Sequence, residues 1–119
     1  MEKVNLDQKF SLFKEHWKPK IVGELNGHHV KLAKIEGPFV WHQHENEDEL
    51  FLVVKGKMHL EFSNSTVEVD EGEFIIVPRG TMHCPVADKE CHILIFEPAS
   101  TLNTGNIQDE FTVAKPEWI

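Results

Sequence analysis

Residues 37–56 read GPFVWHQHENEDELFLVVKG, which places two histidines ahead of an acidic segment and an apolar run. Side chains two apart on a β-strand point to the same side, so a strand over 39–44 turns His42 and His44 the same way. Glu49 opens the next predicted strand, and the acidic residues before it form a connecting loop. The spacing therefore predicts that two imidazoles and one carboxylate converge as candidate ligands.

A second segment adds a fourth candidate ligand. Residues 72–83 read GEFIIVPRGTMH, in which Pro78-Arg79-Gly80 is a turn signal that delivers His83 onto a further strand. Three imidazoles and one carboxylate, far apart in the chain, thus lie on or beside predicted strands.

The surrounding sequence consists of short apolar runs separated by turn residues. Strands are predicted over 21–25, 29–35, 39–44, 50–55, 57–62, 66–70, 73–77, 83–87 and 90–96. Asn26-Gly27 and Gly56 mark tight hairpins. Such closely spaced strands indicate a β-sandwich or barrel rather than βαβ units. The runs LFLVV, FIIV and HILIF are apolar on both faces, so we expect burial on both sides.

The two ends of the chain differ from this pattern. Leu6, Phe10, Phe13 and Trp17 recur at helical spacing, which predicts an N-terminal helix over about 5–18, stopped by Pro19. The barrel core is expected over about 21–98. The tail, 99–119, is polar and turn-rich with apolar residues near its end, which could pack back on the surface or across a dimer.

Composition sets the class of protein. The chain has 119 residues, a length that suits a single domain spanning 1–119. It carries 20 acidic and 12 basic side chains, which give a net charge of −8. An acidic surface repels phosphate backbones and anionic lipid, so nucleic-acid and membrane partners are not expected. The N-terminus lacks an apolar signal segment, and no apolar run is long enough to span a bilayer. Cys84 and Cys91 are expected to be reduced thiols in a cytoplasmic protein.

The two histidine segments resemble the paired motifs of the cupin family. Proteins of that family are small metal-binding β-barrels. The first motif matches from His42 to Gly56 and the second from Gly72 to His83, while Ala87 stands where the family usually has Asn. The resemblance covers about Val30 to Phe96. It implies an all-β fold, a double-stranded β-helix or jelly-roll barrel, to which the sequence adds the short N-terminal helix.

The resemblance further implies a metal held by His42, His44, Glu49 and His83. This donor set suits a divalent transition ion, namely Fe, Mn, Ni, Zn, Co or Cu, and leaves about two positions open. Two functions stay open. One is a small metalloenzyme that acts on a sugar-like or keto/carboxylate substrate by Lewis-acid isomerisation or epimerisation, or by oxygenation. The other is a non-catalytic metal- and small-ligand-binding or sensor module. Doubly apolar strands also predict a homodimer.

Other polar residues have simpler interpretations. Asp48 is an alternative carboxylate ligand, although only Glu49 keeps the six-residue gap to Gly56. His59 is expected on the outer face, Arg79 as an exposed turn charge, and Cys84 as a buried inert thiol. The sequence identifies no catalytic acid or base.

Overall fold

The computed structural model describes all 119 residues, and most of its regular structure is β-strand. The elements are α1 (Leu6–Phe10), β1 (Lys20–Leu25), β2 (His28–Pro38), β3 (Glu49–Lys55), β4 (Lys57–Phe62), β5 (Ser65–Asp70), β6 (Phe74–Val77), β7 (His83–Pro98) and β8 (Glu117–Trp118). The expected all-β class with a short N-terminal helix is confirmed.

The strands form one branched sheet organised around β7, which pairs antiparallel with β2, β3 and β4. Residues 83–86 of β7 lie beside β4, whereas residues 92–96 lie between β2 and β3. The hydrogen-bonded order is β5-β4-β7-β2-β1-β8, with β6 joined through β3, so the sheet does not close on itself. The first half of β7 is thus held against β4, and the second half lies between β2 and β3.

The N-terminal helix is shorter than the predicted range 5–18, because it spans only Leu6–Phe10. Its start agrees with the prediction, since the Asn5 side chain accepts a hydrogen bond from a backbone N–H of the first turn at 2.9 Å. After the helix, the chain forms a backbone hydrogen bond to β2, in which the backbone N–H of Trp17 donates to the Lys34 carbonyl at 2.9 Å. Contacts with the sheet override the helical spacing, as expected for a helix too short to be stable alone.

Two predicted strand boundaries are also wrong. Residues 39–44 form no strand and make only an isolated bridge between His42 and His83, because the next residue, Gln43, pairs its backbone with Asn106 of the tail. The predicted break at 88–89 does not interrupt β7. The pairing of β7 with β2 shifts register at this point, so the exposed residues 88–89 have no paired residue on β2. The strand nevertheless continues through them.

The hydrophobic core lies between the inward faces of the strands. Its buried residues are Ala33, Ile35, Phe51, Val53, Met58, Leu60, Val69, Val77, Ala87, Cys91, Ile93 and Ile95. The apolar runs in β3 and β7 alternate between buried and half-buried residues. The prediction that both faces are buried is wrong for β6, because Phe74 and Ile76 are 61% and 56% exposed.

The C-terminal tail packs back on the sheet of its own chain. β8 pairs in parallel with β1. The Asn103 side chain donates to the Phe111 carbonyl and accepts from the Val113 N–H, both at 2.8 Å, which ties two turns of the tail together. The helix α1 has 5 residues, and the structure contains no helix that could span a membrane.

Candidate metal centre

The four predicted ligands come together although they lie on three different parts of the chain. The backbones of His42 and His83 exchange two hydrogen bonds, at 3.0 and 2.9 Å, which fixes the histidine segment beside the start of β7. His44 lies two residues farther along, and its carbonyl accepts from the Gly80 N–H at 2.8 Å. Glu49 begins β3. Local pairing, rather than a regular strand over 39–44, therefore positions the first two histidines.

The side chains of these residues form a compact buried cluster. His42, His44, Glu49 and His83 are 1%, 3%, 4% and 0% exposed, and each offers a donor atom within 4.8 Å of the others. The Glu49 Oε1 atom lies 3.3 Å from Nε2 of His44 and 3.4 Å from Nε2 of His83. This spacing matches donors arranged around one cation.

Backbone carbonyls orient two of the imidazoles. Nδ1 of His42 lies 2.8 Å from the Val40 carbonyl oxygen, and Nδ1 of His83 lies 2.8 Å from that of Thr81. A carbonyl oxygen only accepts hydrogen bonds, so each Nδ1 carries the proton and each Nε2 keeps its lone pair. This is the tautomer that metal-binding histidines adopt when a neighbour holds the other nitrogen.

Several donor atoms of the cluster have no hydrogen-bond partner. They are both ring nitrogens of His44, Oε1 of Glu49 and Nε2 of His83, all buried. Leaving buried polar atoms unsatisfied is costly, and a bound cation would satisfy three of these four atoms at once. The residues present therefore fit a divalent transition metal.

The protonation states agree with that fit. Burial, together with the nearby His83 imidazole, lowers the pKa of His42 to about 4. Burial alone would raise the pKa of Glu49, but the adjacent His44 and His83 side chains outweigh it and hold that pKa well below its usual range. Neutral imidazole and ionised carboxylate are the forms that bind metals.

A second buried polar group, which the sequence reasoning missed, adjoins the cluster. Lys31 and Glu97 are 1% and 2% exposed, and Lys31 Nζ lies 3.0 Å from Glu97 Oε1. Burial and the negative charge of Glu49 raise the pKa of Glu97 well above its usual range, against the opposing Lys31 ammonium. The available signal was strand alternation, since Glu97 continues the inward series of Ile93 and Ile95.

A small cavity lies against the His42 and Glu49 side of the cluster. Its walls are largely apolar, with Glu97 and Asn103 as further polar residues. The volume that the centre of a water molecule can occupy inside this cavity is about 40 Å³. One water needs roughly 10–15 Å³ on this measure, so the cavity holds a ligand of only a few non-hydrogen atoms.

The remaining candidates lie outside the cluster. The Asp48 carboxylate contacts Arg79 at 3.3 Å on the surface, so only Glu49 of the two acidic neighbours points into the cluster. His59 faces the surface carboxylates of Glu68 and Asp88, as predicted for an outer-face residue. Burial raises the pKa of the free Cys84 thiol, as expected for an inert one.

Residues 28–97 match the family described as Cupin_2: Cupin domain. The chain belongs to the cupin family. A cupin-2 domain protein from Shewanella frigidimarina NCIMB 400 is similar in structure, with 42% identity, a TM-score of 0.79, and coverage of 80% of this chain and 93% of that one. A Neisseria meningitidis protein gives 30% identity and a TM-score of 0.76, over 82% of this chain and 100% of that one.

A similar sequence is the uncharacterised protein YdbB of Bacillus subtilis (strain 168). It is 35% identical over 63 residues, which cover 52% of this chain and 56% of YdbB, so the chain spans about half the length of that curated relative. The cupin family and the jelly-roll fold class predicted from the two motifs are confirmed.

Proposed function

We propose that this cupin binds one divalent transition-metal ion through His42, His44, Glu49 and His83 and acts as a small metalloenzyme. The proposal rests above all on four buried donor atoms that lie within 4.8 Å of one another, most of them without a protein partner. The candidate ions are Fe, Mn, Ni, Zn, Co and Cu, since imidazole and carboxylate donors suit all of them. A single domain over 1–119 would carry the site.

The substrate is proposed to be small and polar, either sugar-like or a keto/carboxylate compound. A bound divalent ion would supply Lewis acidity, or dioxygen chemistry if the metal is redox-active. The chain's own residues would exclude water through the apolar walls of the cavity and orient the substrate between His42 and the polar groups on β7. Isomerisation or epimerisation and oxygenation are the two reaction classes that this arrangement supports.

The small size of the cavity favours a second candidate function. Because it holds only a few non-hydrogen atoms, the same site would serve a non-catalytic module that binds a metal and a small ligand, for instance as a sensor.

The test of the metalloenzyme proposal starts with metal analysis of protein purified without chelator, followed by turnover assays. We expect about one transition ion per chain, and either isomerisation of a small hydroxy-carbonyl substrate or oxygen uptake with the Fe(II)-loaded protein. The matched control is His59→Ala, which removes a surface histidine outside the cluster. A metal-loaded protein without turnover on the panel would support the binding module instead, and absence of metal would contradict both.

We also propose a cytoplasmic homodimer that uses the exposed face of β6. Phe74 and Ile76 lie on an edge strand whose only partner is β3, and such apolar exposure is typical of an interface. The free thiols of Cys84 and Cys91 fit a reducing compartment.

We expect light scattering to give the mass of a dimer, and Phe74→Glu to shift it to the mass of a monomer. Leu12→Glu, at an equally exposed leucine outside this face, serves as the control. A wild-type monomer at every concentration tested would contradict the homodimer.

A further inference from the structure

The segment between β2 and β3 carries two of the proposed metal ligands and belongs to neither strand. Backbone hydrogen bonds from the start of β7 and from the turn before it hold His42 and His44. Neither of these contacts involves Gln43, the residue between the two histidines. Because backbone N–H and carbonyl groups need hydrogen-bond partners, Gln43 has to find them elsewhere in the fold.

A turn of the C-terminal tail supplies both partners of Gln43. The Gln43 N–H donates to Oδ1 of Asn106 at 2.9 Å, and the Asn106 N–H donates to the Gln43 carbonyl at 3.1 Å. These two peptide groups join Gln43 to His42 on one side and to His44 on the other. A single residue of the tail therefore holds the backbone from which both imidazoles extend.

The residue before Asn106 approaches the same segment too closely for a side chain. Gly105 has a φ of 56°, and a Cβ atom there would clash with the Gln43 carbonyl oxygen and lie 3.1 Å from Cδ2 of His42. In the imidazole ring, Cδ2 is bonded to Nε2, the nitrogen that remains free because Nδ1 is held by the Val40 carbonyl. The Gly105 backbone thus packs against the ring edge beside the proposed donor atom.

Hydrogen bonds within the tail fix the shape of this turn. Thr104 is fully buried, and its hydroxyl donates to the Ile107 carbonyl at 2.6 Å and lies 2.7 Å from the Thr112 hydroxyl. The Ile107 N–H donates back to the Thr104 carbonyl at 3.0 Å. Gly105 and Asn106 lie between these bonded residues, so their contacts with the histidine segment are made by a braced part of the chain.

His44 depends on its backbone more than His42 does. Nδ1 of His42 lies 2.8 Å from a carbonyl oxygen, whereas Nδ1 of His44 has no hydrogen-bond partner. No hydrogen bond at Nδ1 orients the His44 ring if its backbone moves. The contacts of Gln43 with the tail are therefore important for the position of this imidazole.

We propose that Gly105 and Asn106 are positioning residues of the metal site, which act through the Gln43 backbone on His42 and His44. The inference rests on the proposed function, because it assumes that these histidines bind a metal. Loss of residues that orient metal ligands commonly lowers metal affinity about 10–100-fold. Both tail residues lie outside residues 28–97, which match the cupin domain, so support for the site comes from beyond the matched part of the chain.

A matched pair of variants at Asn106 tests the hydrogen bond to Gln43. Asn106→Leu removes the acceptor at similar size, whereas Asn106→Asp keeps an oxygen in its place, and the side chain is exposed. We expect zinc affinity, measured by competition with a chromophoric chelator, to fall about tenfold or more in Asn106→Leu and to return close to wild type in Asn106→Asp. Wild-type affinity in Asn106→Leu, or an equal loss in both variants, would overturn the inference.

A second pair of variants separates close packing from backbone strain. Gly105 and Gly72 have φ of 56° and 84°, so alanine is strained at both, but a Cβ at Gly72 would meet no atom within 4 Å beyond its chain neighbours. We expect Gly105→Ala to lower zinc affinity about tenfold or more, and Gly72→Ala to lower stability while keeping wild-type zinc affinity. Equal zinc affinities of the two variants would contradict the role of Gly105.

The visible absorption spectrum of the cobalt-loaded protein gives a readout that stability alone does not change. It depends on the number and arrangement of the ligands around Co(II). At full cobalt occupancy we expect an altered spectrum in Asn106→Leu and the wild-type spectrum in Asn106→Asp. Identical spectra in all three proteins would overturn the positioning role alone. Failure of wild-type protein to bind zinc or cobalt would instead contradict the proposed function.

Discussion

His83 and Glu97 lie at opposite ends of β7, both almost fully buried, yet their polar atoms are surrounded by different groups. Nε2 of His83 faces the donor atoms of three other side chains and has no proton donor as a partner. Glu97 instead faces a lysine ammonium 3.0 Å away. The chain thus places a cation of its own, the Lys31 ammonium, beside Glu97, whereas the group around His83 consists of metal-binding donor atoms. Exogenous metal should therefore matter to the His83 region far more than to the Glu97 region.

The largest expected effect is on metal binding at the His83 end. His83→Ala removes one of four ligands, and we expect zinc affinity to fall on the order of 100-fold or more. Competition with a chromophoric chelator measures this affinity. His59→Ala is the control and should leave zinc affinity unchanged. Equal affinities of wild-type protein and His83→Ala would remove the distinction between the two ends of β7.

The next effect concerns folding stability at the Glu97 end. Lys31→Met leaves the Glu97 carboxylate unpaired in the interior, so we expect a loss of about 3–5 kcal/mol in the free energy of unfolding. Replacing both residues by methionine should bring stability back to within about 1 kcal/mol of wild type. Urea denaturation of the single and double variants measures both. Additive losses in the double variant would show that the two side chains do not interact.

The pH dependence of the metal-free protein should include a contribution from His42. The unfolded chain protonates His42 below about pH 6.5, whereas burial delays protonation in the folded chain to about pH 4. Stability should therefore fall as the pH decreases through this window, by about 3 kcal/mol from His42. Glu97 acts in the opposite direction, because its pKa is raised on folding.

Comparison with His42→Gln isolates the histidine contribution. We expect urea midpoints of this variant to vary less with pH than those of wild type between pH 6.5 and 4. Parallel profiles would exclude His42 as the titrating group.

The smallest effect is expected outside both regions. Asp48 and Arg79 are exposed, so Asp48→Asn should change stability by less than about 0.5 kcal/mol and leave zinc stoichiometry at wild-type level. Glu49→Gln, one residue away, should lose zinc. Loss of zinc in Asp48→Asn, together with retention of zinc in Glu49→Gln, would contradict the assignment of Glu49 rather than Asp48 as the ligand.

Short-range sequence signals predict the His83 region well. The His-x-His spacing, the Glu49 position and the Pro-x-Gly turn before His83 specify where each donor enters the fold. The hairpin at Asn26-Gly27 was predictable because both residues adopt positive φ there. These features depend on local backbone geometry, which the sequence encodes directly.

The features that were not predicted depend on distant contacts. The helix ends at Phe10 because later residues pair with β2, and residues 39–44 leave the sheet because the tail competes for their backbone. Lys31 and Glu97 are 66 positions apart, so the sequence around one residue does not predict its contact with the other. Their inward orientation follows from strand alternation, but their pairing requires the register of β2 against β7.

The central claim is that the four side chains at the His83 end of β7 hold one transition ion. Anomalous X-ray diffraction at the absorption edge of the copurified metal tests this most directly. The account predicts one strong peak per chain, within bonding distance of His42, His44, Glu49 and His83. Crystals of metal-supplemented protein with no peak there, or with a peak at surface residues only, would contradict it.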